Sequence, residues 1–351
     1  MATMTAPSPT PGTASTSIAT KPLALTHEEI DFYNEHGFLR LKGVYSPQEI
    51  KELSEELDYV IENFATRGKG WSGPWRQQLM SAEEEAQSVL VALHEIEMFA
   101  ASWMRAILKE RLVNSLADLL GPVVEFHHAT LHAKGPDFGA PFPMHQDHPF
   151  YPHQNGRYID AILHVDDAGE DGGCLKFLDG SHKQGPLVHN MEGSPHLDQR
   201  VYRIEDAVSC PAGAGDVVFF SIHTIHGSSL NRRPRWRRVM RLGYRDPNNV
   251  QLSGQGLGRP GLMVRGVRPK LGEESLSVYG DPKLNTAIQR RLTAQEQAAQ
   301  AFASEAAATA ASKEADAPLE AAKPDDGVAG VDKLNVYGNW GKKAQPLNDD
   351  D

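Results

Sequence analysis

Two textures divide the chain. From Thr26 to Leu120 apolar residues recur mainly at helical spacing, whereas from Val123 to Tyr244 they fall in short runs separated by Gly, Pro, Asp and Asn, the pattern of strands and turns. In the first part, Thr26-His27-Glu28-Glu29 forms a capping-box pattern, in which the Thr hydroxyl accepts from an exposed amide while the Glu reaches back, and Gly37 supplies a stop. A short helix is expected between them. Phe38-Leu39-Arg40-Leu41 reads as a brief strand. Ser46-Pro47-Gln48-Glu49 joins a second capping box to a proline at the first helical position, opening a helix through about Asn63. Further helical periodicity runs from about Ser88 to Leu120, broken once, and Gly121-Pro122 ends it.

In the second part the expected strands are Val124–Ala133, Pro143–Asp147, Tyr158–Val165, Leu175–Leu178, Ser209–Pro211, Asp216–Phe220, Thr224–Ser229 and Arg237–Tyr244. Many short strands at close spacing favour a sandwich or barrel of jelly-roll type over a parallel α/β sheet. The expected protein is mainly β with a helical N-terminal part. It has one catalytic domain over residues 25–290, helical over 25–122 with a jelly-roll core over 123–246, between a disordered arm (1–24) and an Ala/Glu-rich acidic tail (291–351). The tail carries one aromatic cluster, Leu334–Trp340, read either as a segment docking on the core or a partner, or as disordered.

Composition narrows the function classes. The 351 residues hold 35 basic and 46 acidic groups, a formal charge of −11, which disfavours a general nucleic-acid binder because phosphate affinity needs a basic face. Nine acids and four lysines within Glu314–Asp351 give −5 of that charge, so it says little about an active site. Cys174 and Cys210 are too few for a disulfide framework and lack zinc-site spacing. No apolar run reaches the length of a membrane span, and Met1–Thr20 resembles neither a signal peptide nor a transit sequence. The last residues are not a peroxisomal tripeptide either. A cytoplasmic location and no membrane partner are expected.

Among fifteen histidines, most are expected to be surface or structural. The pair that stands out is in His145-Gln146-Asp147, where residues two apart on a strand share a face and can reach one point in space. An imidazole and a carboxylate there could fill two sites on a divalent metal, although His-x-Asp also arises by chance. A two-His-one-carboxylate set needs a third ligand and leaves three adjacent positions open on Fe(II). His226 is the best candidate; His223, three residues away, would point to the opposite side of the strand. Arg237 lies eleven residues further on, within the cluster Arg232, Arg233, Arg235, Arg237 and Arg238. A planar five-donor guanidinium is suited to gripping a carboxylate bidentately, and alternation through Val239 and Arg241 keeps it on one face. A solvated basic patch is the plainer alternative.

Three segments, Met144-His145-Gln146-Asp147-His148-Pro149-Phe150, then Gly172 to Lys183, then His226-Gly227-Ser228-Ser229-Leu230-Asn231 leading to Arg237, together resemble the phytanoyl-CoA dioxygenase family of Fe(II)/2-oxoglutarate oxygenases, over about residues 25–270. The resemblance implies a double-stranded β-helix (jelly-roll, cupin-like) core flanked by α-helices. It implies His145, Asp147 and His226 as the catalytic iron ligands, and Arg237 and Ser228 on the distal carboxylate of 2-oxoglutarate. It also places His132 where relatives often carry an amide toward the keto-acid end, against a structural reading beside His127 and His128. Gly180–His182 reads as a supporting turn, with no iron-binding role for His182.

The implied chemistry consumes O2 and 2-oxoglutarate, releases succinate and CO2, and hydroxylates an unactivated C–H bond of a small molecule, a lipid or a specialised metabolite. Asp147 favours hydroxylation over halogenation, since related halogenases replace this carboxylate with a small residue. Ala65–Leu79, with Arg67, Lys69, Trp71, Trp75 and Arg76, and His148–Gln154 are expected either to line a substrate mouth or to pack as surface loops. Two alternatives stand beside the oxygenase: a jelly-roll metalloenzyme using Lewis-acid chemistry, such as an isomerase, and a non-catalytic binding protein on the same fold.

Overall fold

The computed structural model describes residues 21–257 and 261–269. The expected arm up to residue 20 and the expected acidic tail, including its aromatic cluster, lie outside them. In chain order the elements are α1 (His27–His36), β1 (Phe38–Leu41), α2 (Pro47–Phe64), β2 (Thr66–Gly68), α3 (Arg76–Leu79), α4 (Ala82–Gln87) and β3 (Leu90–His94). Helices α5 (Ala101–Ile107) and α6 (Glu110–Leu120) follow, and then β4 (Val124–Lys134), β5 (Phe142–His145), β6 (Tyr158–His164), β7 (Leu175–Phe177) and β8 (Val208–Cys210). The last are β9 (Val217–Ser221), β10 (His226–Ser228), β11 (Arg237–Arg245) and β12 (Leu262–Arg265).

Both capping boxes form as read. Thr26 Oγ1 accepts from Glu29 N at 3.1 Å while Glu29 returns to Thr26 N at 2.8 Å, and Ser46 and Glu49 do the same for α2. Gly37 closes α1 at φ 81°, a left-handed conformation that costs glycine little.

The helical reading of Ser88–Leu120 is corrected. Leu90–His94 is a strand, paired from Leu90↔Lys134 to His94↔Thr130, and the rest divides into a one-turn helix, α5 and α6. The apolar positions Leu90, Val91 and Leu93 satisfy either period, and the free edge of β4 decided between them by supplying ladder partners.

The strands form two antiparallel sheets. The larger runs β1-β9-β6-β11-β4-β3-β2, with β12 on β4 beside β3; the smaller runs β5-β10-β7-β8. This is the jelly-roll arrangement with helices on one outer face. On β11, Met240, Leu242 and Tyr244 join the core shared with the helices, where Ile50, Leu53, Leu57 and Val60 of α2 and Leu112, Leu116 and Leu120 of α6 are buried. Each such side chain contributes roughly 1.5–3 kcal/mol by leaving water. The alternate positions Arg237, Val239 and Arg241 point between the sheets, as strand periodicity requires. Arg238 faces outward and ties β11 to α2 through Asp166, Asp58 and Ser54.

Candidate functional site

Between the sheets lies a cleft lined by residues of both. One end is built by β5 and β10, whose antiparallel register sets His145 directly opposite His226, with ring centroids 4.2 Å apart. Gly227 allows this approach, because a Cβ there would come within 2.9 Å of both Met144 Sδ and Phe142 O. Ser181 Oγ accepts from Ile225 N at 2.9 Å, so the Gly180–His182 turn supports the entry to β10 as expected.

Asp147 reaches the same point by a route different from the one read in the sequence. Strand β5 ends at His145, and Asp147 adopts φ −77°, ψ −18°. Its carbonyl accepts from Phe150 N at 3.0 Å and opens a one-turn helix over His148–Phe150. A turn therefore aims the carboxylate, and strand alternation does not.

Asp147 Oδ1 lies 3.4 Å from His145 Nε2 and 3.9 Å from His226 Nε2. The three ligand atoms fall within 4.8 Å of one another, and all three residues are buried. Each imidazole donates its Nδ1 proton to a backbone carbonyl, His145 to Pro143 O at 2.7 Å and His226 to Thr224 O at 3.0 Å. That fixes the tautomer with the Nε2 lone pair aimed at the cluster. Asp147 Oδ2 is buried without a hydrogen-bond partner, a costly state that a cation would relieve.

Burial, followed by the neighbouring His145, pushes the His226 imidazole down to about 3, so it is neutral and ready to ligate. Burial alone would raise Asp147, but the His226 and His145 imidazoles outweigh it and hold the carboxyl well below its usual range. Two imidazole nitrogens and one carboxylate, with an open side toward the cleft, fit a divalent iron. His223 stands apart, its ring 5.1 Å from His148.

At the opposite end Arg237 is buried. Burial lowers its guanidinium to about 10, and its Nε finds no partner. Ser228 is beside it in the wall. Lys134 was not singled out in the sequence, yet it is paired with Arg237 across β4 and β11 and wholly buried. Its Nζ donates to Ser228 Oγ at 2.8 Å, to Ser228 O at 3.4 Å and to Ser229 O. Burial, and then Arg237, push its ammonium well below the usual lysine range. Lys134 and Arg237 are thus buried cross-strand neighbours, and Lys134 holds the Ser228 hydroxyl. The signal available in the sequence was the parity of Lys134 with His132 and Thr130, one residue beyond the expected strand Val124–Ala133.

His132 lines the cleft with its ring 5.0 Å from Phe142; burial and then Arg241 hold it well below its ordinary value. Of the two loops considered for a substrate mouth, each sends residues into the wall. Trp71 lies 4.7 Å from the His145 ring and 4.9 Å from Phe150, and Phe150 and Tyr151 follow the Asp147 turn. Trp75 instead packs beneath, and buried Arg76 fixes the loop through Trp71 O at 2.6 Å, Ser88 Oγ at 2.7 Å and Glu85 at 2.8 Å.

Arg241 carries no functional signal in the sequence beyond its alternation with Arg237. Its Nη1 donates to Tyr151 Oη at 2.5 Å and Asp160 Oδ1 at 3.0 Å, and its Nη2 to His128 Nε2 at 2.8 Å and Thr130 Oγ1 at 3.0 Å.

The family model described as phytanoyl-CoA dioxygenase matches residues 33–239 of this chain. A probable alpha-ketoglutarate-dependent hypophosphite dioxygenase of Stutzerimonas stutzeri is 25% identical over 268 residues, covering 71% of this chain and 92% of the relative. The peroxisomal phytanoyl-CoA dioxygenase of Bos taurus is 25% identical over 284 residues, 72% of this chain and 79% of its own. The ectoine dioxygenase of Bordetella bronchiseptica is 24% identical over 236 residues, 62% and 73% respectively. Among solved structures, the non-heme alpha-ketoglutarate-dependent carbocyclase SnoK from nogalamycin biosynthesis superposes with a TM-score of 0.56 at 20% identity, covering 69% of this chain and 94% of that one. EctD from S. alaskensis with bound Fe gives 0.52 at 19%, covering 72% and 87%. These two likenesses carry the fold.

Proposed function

The chain belongs to the phytanoyl-CoA dioxygenase family and is an iron- and 2-oxoglutarate-dependent dioxygenase; from that premise we propose that it hydroxylates an unactivated C–H bond of a small organic molecule. The observation that carries this reading is the cluster itself. Three bare ligand atoms, one on each of His145, Asp147 and His226, converge at the floor of an aromatic-walled cleft. These three residues would hold the iron. When bound, it supplies the oxygen-activating chemistry that couples conversion of 2-oxoglutarate to succinate and CO2 with oxidation of a C–H bond.

Arg237 and Ser228 would take the distal carboxylate of 2-oxoglutarate, and Lys134 would hold the Ser228 hydroxyl while adding a second positive charge. A buried guanidinium with an unpartnered Nε is well suited to a bidentate carboxylate, and the ligand's charge would offset the cost of burying both cations. His132, on the wall toward the metal end, would face the keto-acid part. Trp71, Phe142 and Phe150 would exclude water from the reacting centre and limit the substrate to a compact group. The carboxylate of Asp147 supports hydroxylation over transfer of a halide, which would need the space that it fills. No helix among the described residues is long and apolar enough to cross a membrane.

The test is anaerobic titration of the Fe(II) protein with 2-oxoglutarate, which is expected to give a weak visible charge-transfer band, followed by aerobic turnover with succinate as product. A wild-type protein that binds Fe(II) yet never develops the band would sink the reading. Succinate release across a panel of small molecules, with product mass 16 units above substrate, separates hydroxylation from desaturation and ring closure.

A further inference from the structure

The cleft wall on the side away from Arg237 carries a polar assembly that the iron and cosubstrate do not require. Arg241, Thr130 and Tyr151 line it, and all four Nη bonds of Arg241 are directed by the fold. Two are to Tyr151 and Asp160, and two to His128 and Thr130. The arrangement continues outward with one consistent set of tautomers. Since His128 Nε2 accepts from Arg241, its Nδ1 proton faces His127 Nδ1 at 2.7 Å, and His127 Nε2–H faces Gln251 Oε1 at 2.9 Å. Such a network holds the guanidinium in one place.

Burying an ion pair is expensive, and an apolar core of the same volume would be at least as stable. The orientation of this pair is informative. Arg241 is in the cleft wall, whereas Asp160 is wholly buried behind it, its second oxygen accepting from Tyr151 Oη at 2.9 Å. The cleft therefore faces the positive end. Burial and then the Asp147 carboxylate push the Asp160 carboxyl well above its usual range, against the pull of Arg241; a proton there would leave the guanidinium still less compensated. In either state the member of the pair that stands in the cleft wall is the guanidinium. Among the described residues lining it, Asp147 is the one carboxylate, and it belongs to the metal cluster.

We propose that the substrate carries an oxyanion head, a carboxylate or a phosphonate, which docks against Arg241 and presents a neighbouring C–H bond to the metal cluster. This rests on the oxygenase reading and names the substrate class for it. The head is held electrostatically by a preorganised cation in a water-poor site, where such an interaction is stronger than in solution. The aromatic wall formed by Trp71, Phe142 and Phe150 receives the short apolar remainder.

Calorimetry tests this with two series of probes, C1–C4 alkylphosphonates beside their neutral dimethyl esters and C2–C6 alkyl carboxylates beside their neutral methyl esters, on the anaerobic Fe(II)·2-oxoglutarate protein. At least one anionic series is expected to bind tenfold or more tightly than its esters, and the tighter series identifies the head. In Arg241→Met/Asp160→Asn, which removes both charges, the anion-to-ester ratio is expected to fall to near one while the 2-oxoglutarate band titrates as in wild type. Arg241→Lys, which keeps the charge, is expected to retain part of the preference. Equal binding of anions and esters by wild type overturns the proposal. So does a double variant that keeps the preference, or one that loses 2-oxoglutarate in parallel, since Arg241 would then serve the cosubstrate. The calorimetric preference is read whether or not the band forms, so failure of the oxygenase reading and failure of this one are separable.

Discussion

The Lys134 ammonium donates across 2.8 Å to the Ser228 hydroxyl, joining the last residue of the long strand β4 to the last residue of β10 in the opposite sheet. Ser229 O and Ser228 O complete its shell, so no anion compensates it there. An ammonium buried in that way should matter most to a ligand that brings negative charge. Lys134→Met is expected to weaken 2-oxoglutarate at least tenfold, about 1.4 kcal/mol, with Fe(II) affinity within twofold of wild type. Titration of the charge-transfer band against each component checks this, and equal loss of both would make Lys134 a staple between the sheets.

Arg237 should act on the same ligand more strongly, because a guanidinium can grip both carboxylate oxygens. Arg237→Ala is expected to raise the 2-oxoglutarate requirement a hundredfold or more while leaving the iron requirement nearly unchanged. Parallel rises in both would assign it to the barrel's stability.

Asp147 Oδ2 has no partner within the protein. Removing the carboxylate should therefore abolish tight iron binding. Asp147→Ala is expected to lose hydroxylation and to bind Fe(II) at least tenfold more weakly, as read by anaerobic Fe(II) titration and succinate release. An undiminished rate would remove Asp147 from the iron site.

Acid should unfold the protein partly through histidines buried as neutral rings. Burial, then Arg237, lowers His164 to about 3, and burial, then Arg245, lowers His153 to about 3. The unfolded rings titrate near 6.5, so the folded state binds fewer protons below that value. This contribution is complete above about pH 6.5 and is lost as pH falls toward 3, at up to about 1.4 kcal/mol per pH unit for each ring. In His164→Gln the urea midpoint should fall less steeply between pH 6.5 and 4.5 than in wild type; superimposable slopes would exclude this ring.

Gly243 lies on β11 opposite His128 and Asp160, where a Cβ would come within 1.9 Å of the Tyr158 hydroxyl. Tyr158 is fully buried and its Oη lies 3.0 Å from His127 Nδ1. Gly243→Ala is expected to cost on the order of 1–3 kcal/mol by displacing that ring, seen as a lower thermal midpoint; an unchanged midpoint would show that the core repacks.

Some of this was written locally in the chain. The two capping boxes, the Gly37 stop and the inward parity of Arg237, Val239 and Arg241 depend only on neighbouring residues and on the periods 3.6 and 2, and they appear as read. His145, Asp147 and His226 also converge as expected. The route of Asp147 was misread because a turn and a strand both allow two residues spaced by one to meet at a point. Leu90–His94 was misread as helix because a short apolar run fits either period.

The sequence by itself thus determined the local elements and the inward-facing residues, since each follows from spacing and chirality, and it offered His145, Asp147 and His226 as candidates through their spacing together with the family resemblance. Only the tertiary structure decided which edge Leu90–His94 would pair with, that Lys134 would stand against Ser228, and that Arg241 would face the cleft with Asp160 behind it. Those relationships join residues 94 and 81 positions apart. They arise because antiparallel pairing and sheet packing set the register between distant strands, where hydrogen-bond partners and burial are supplied by the whole fold.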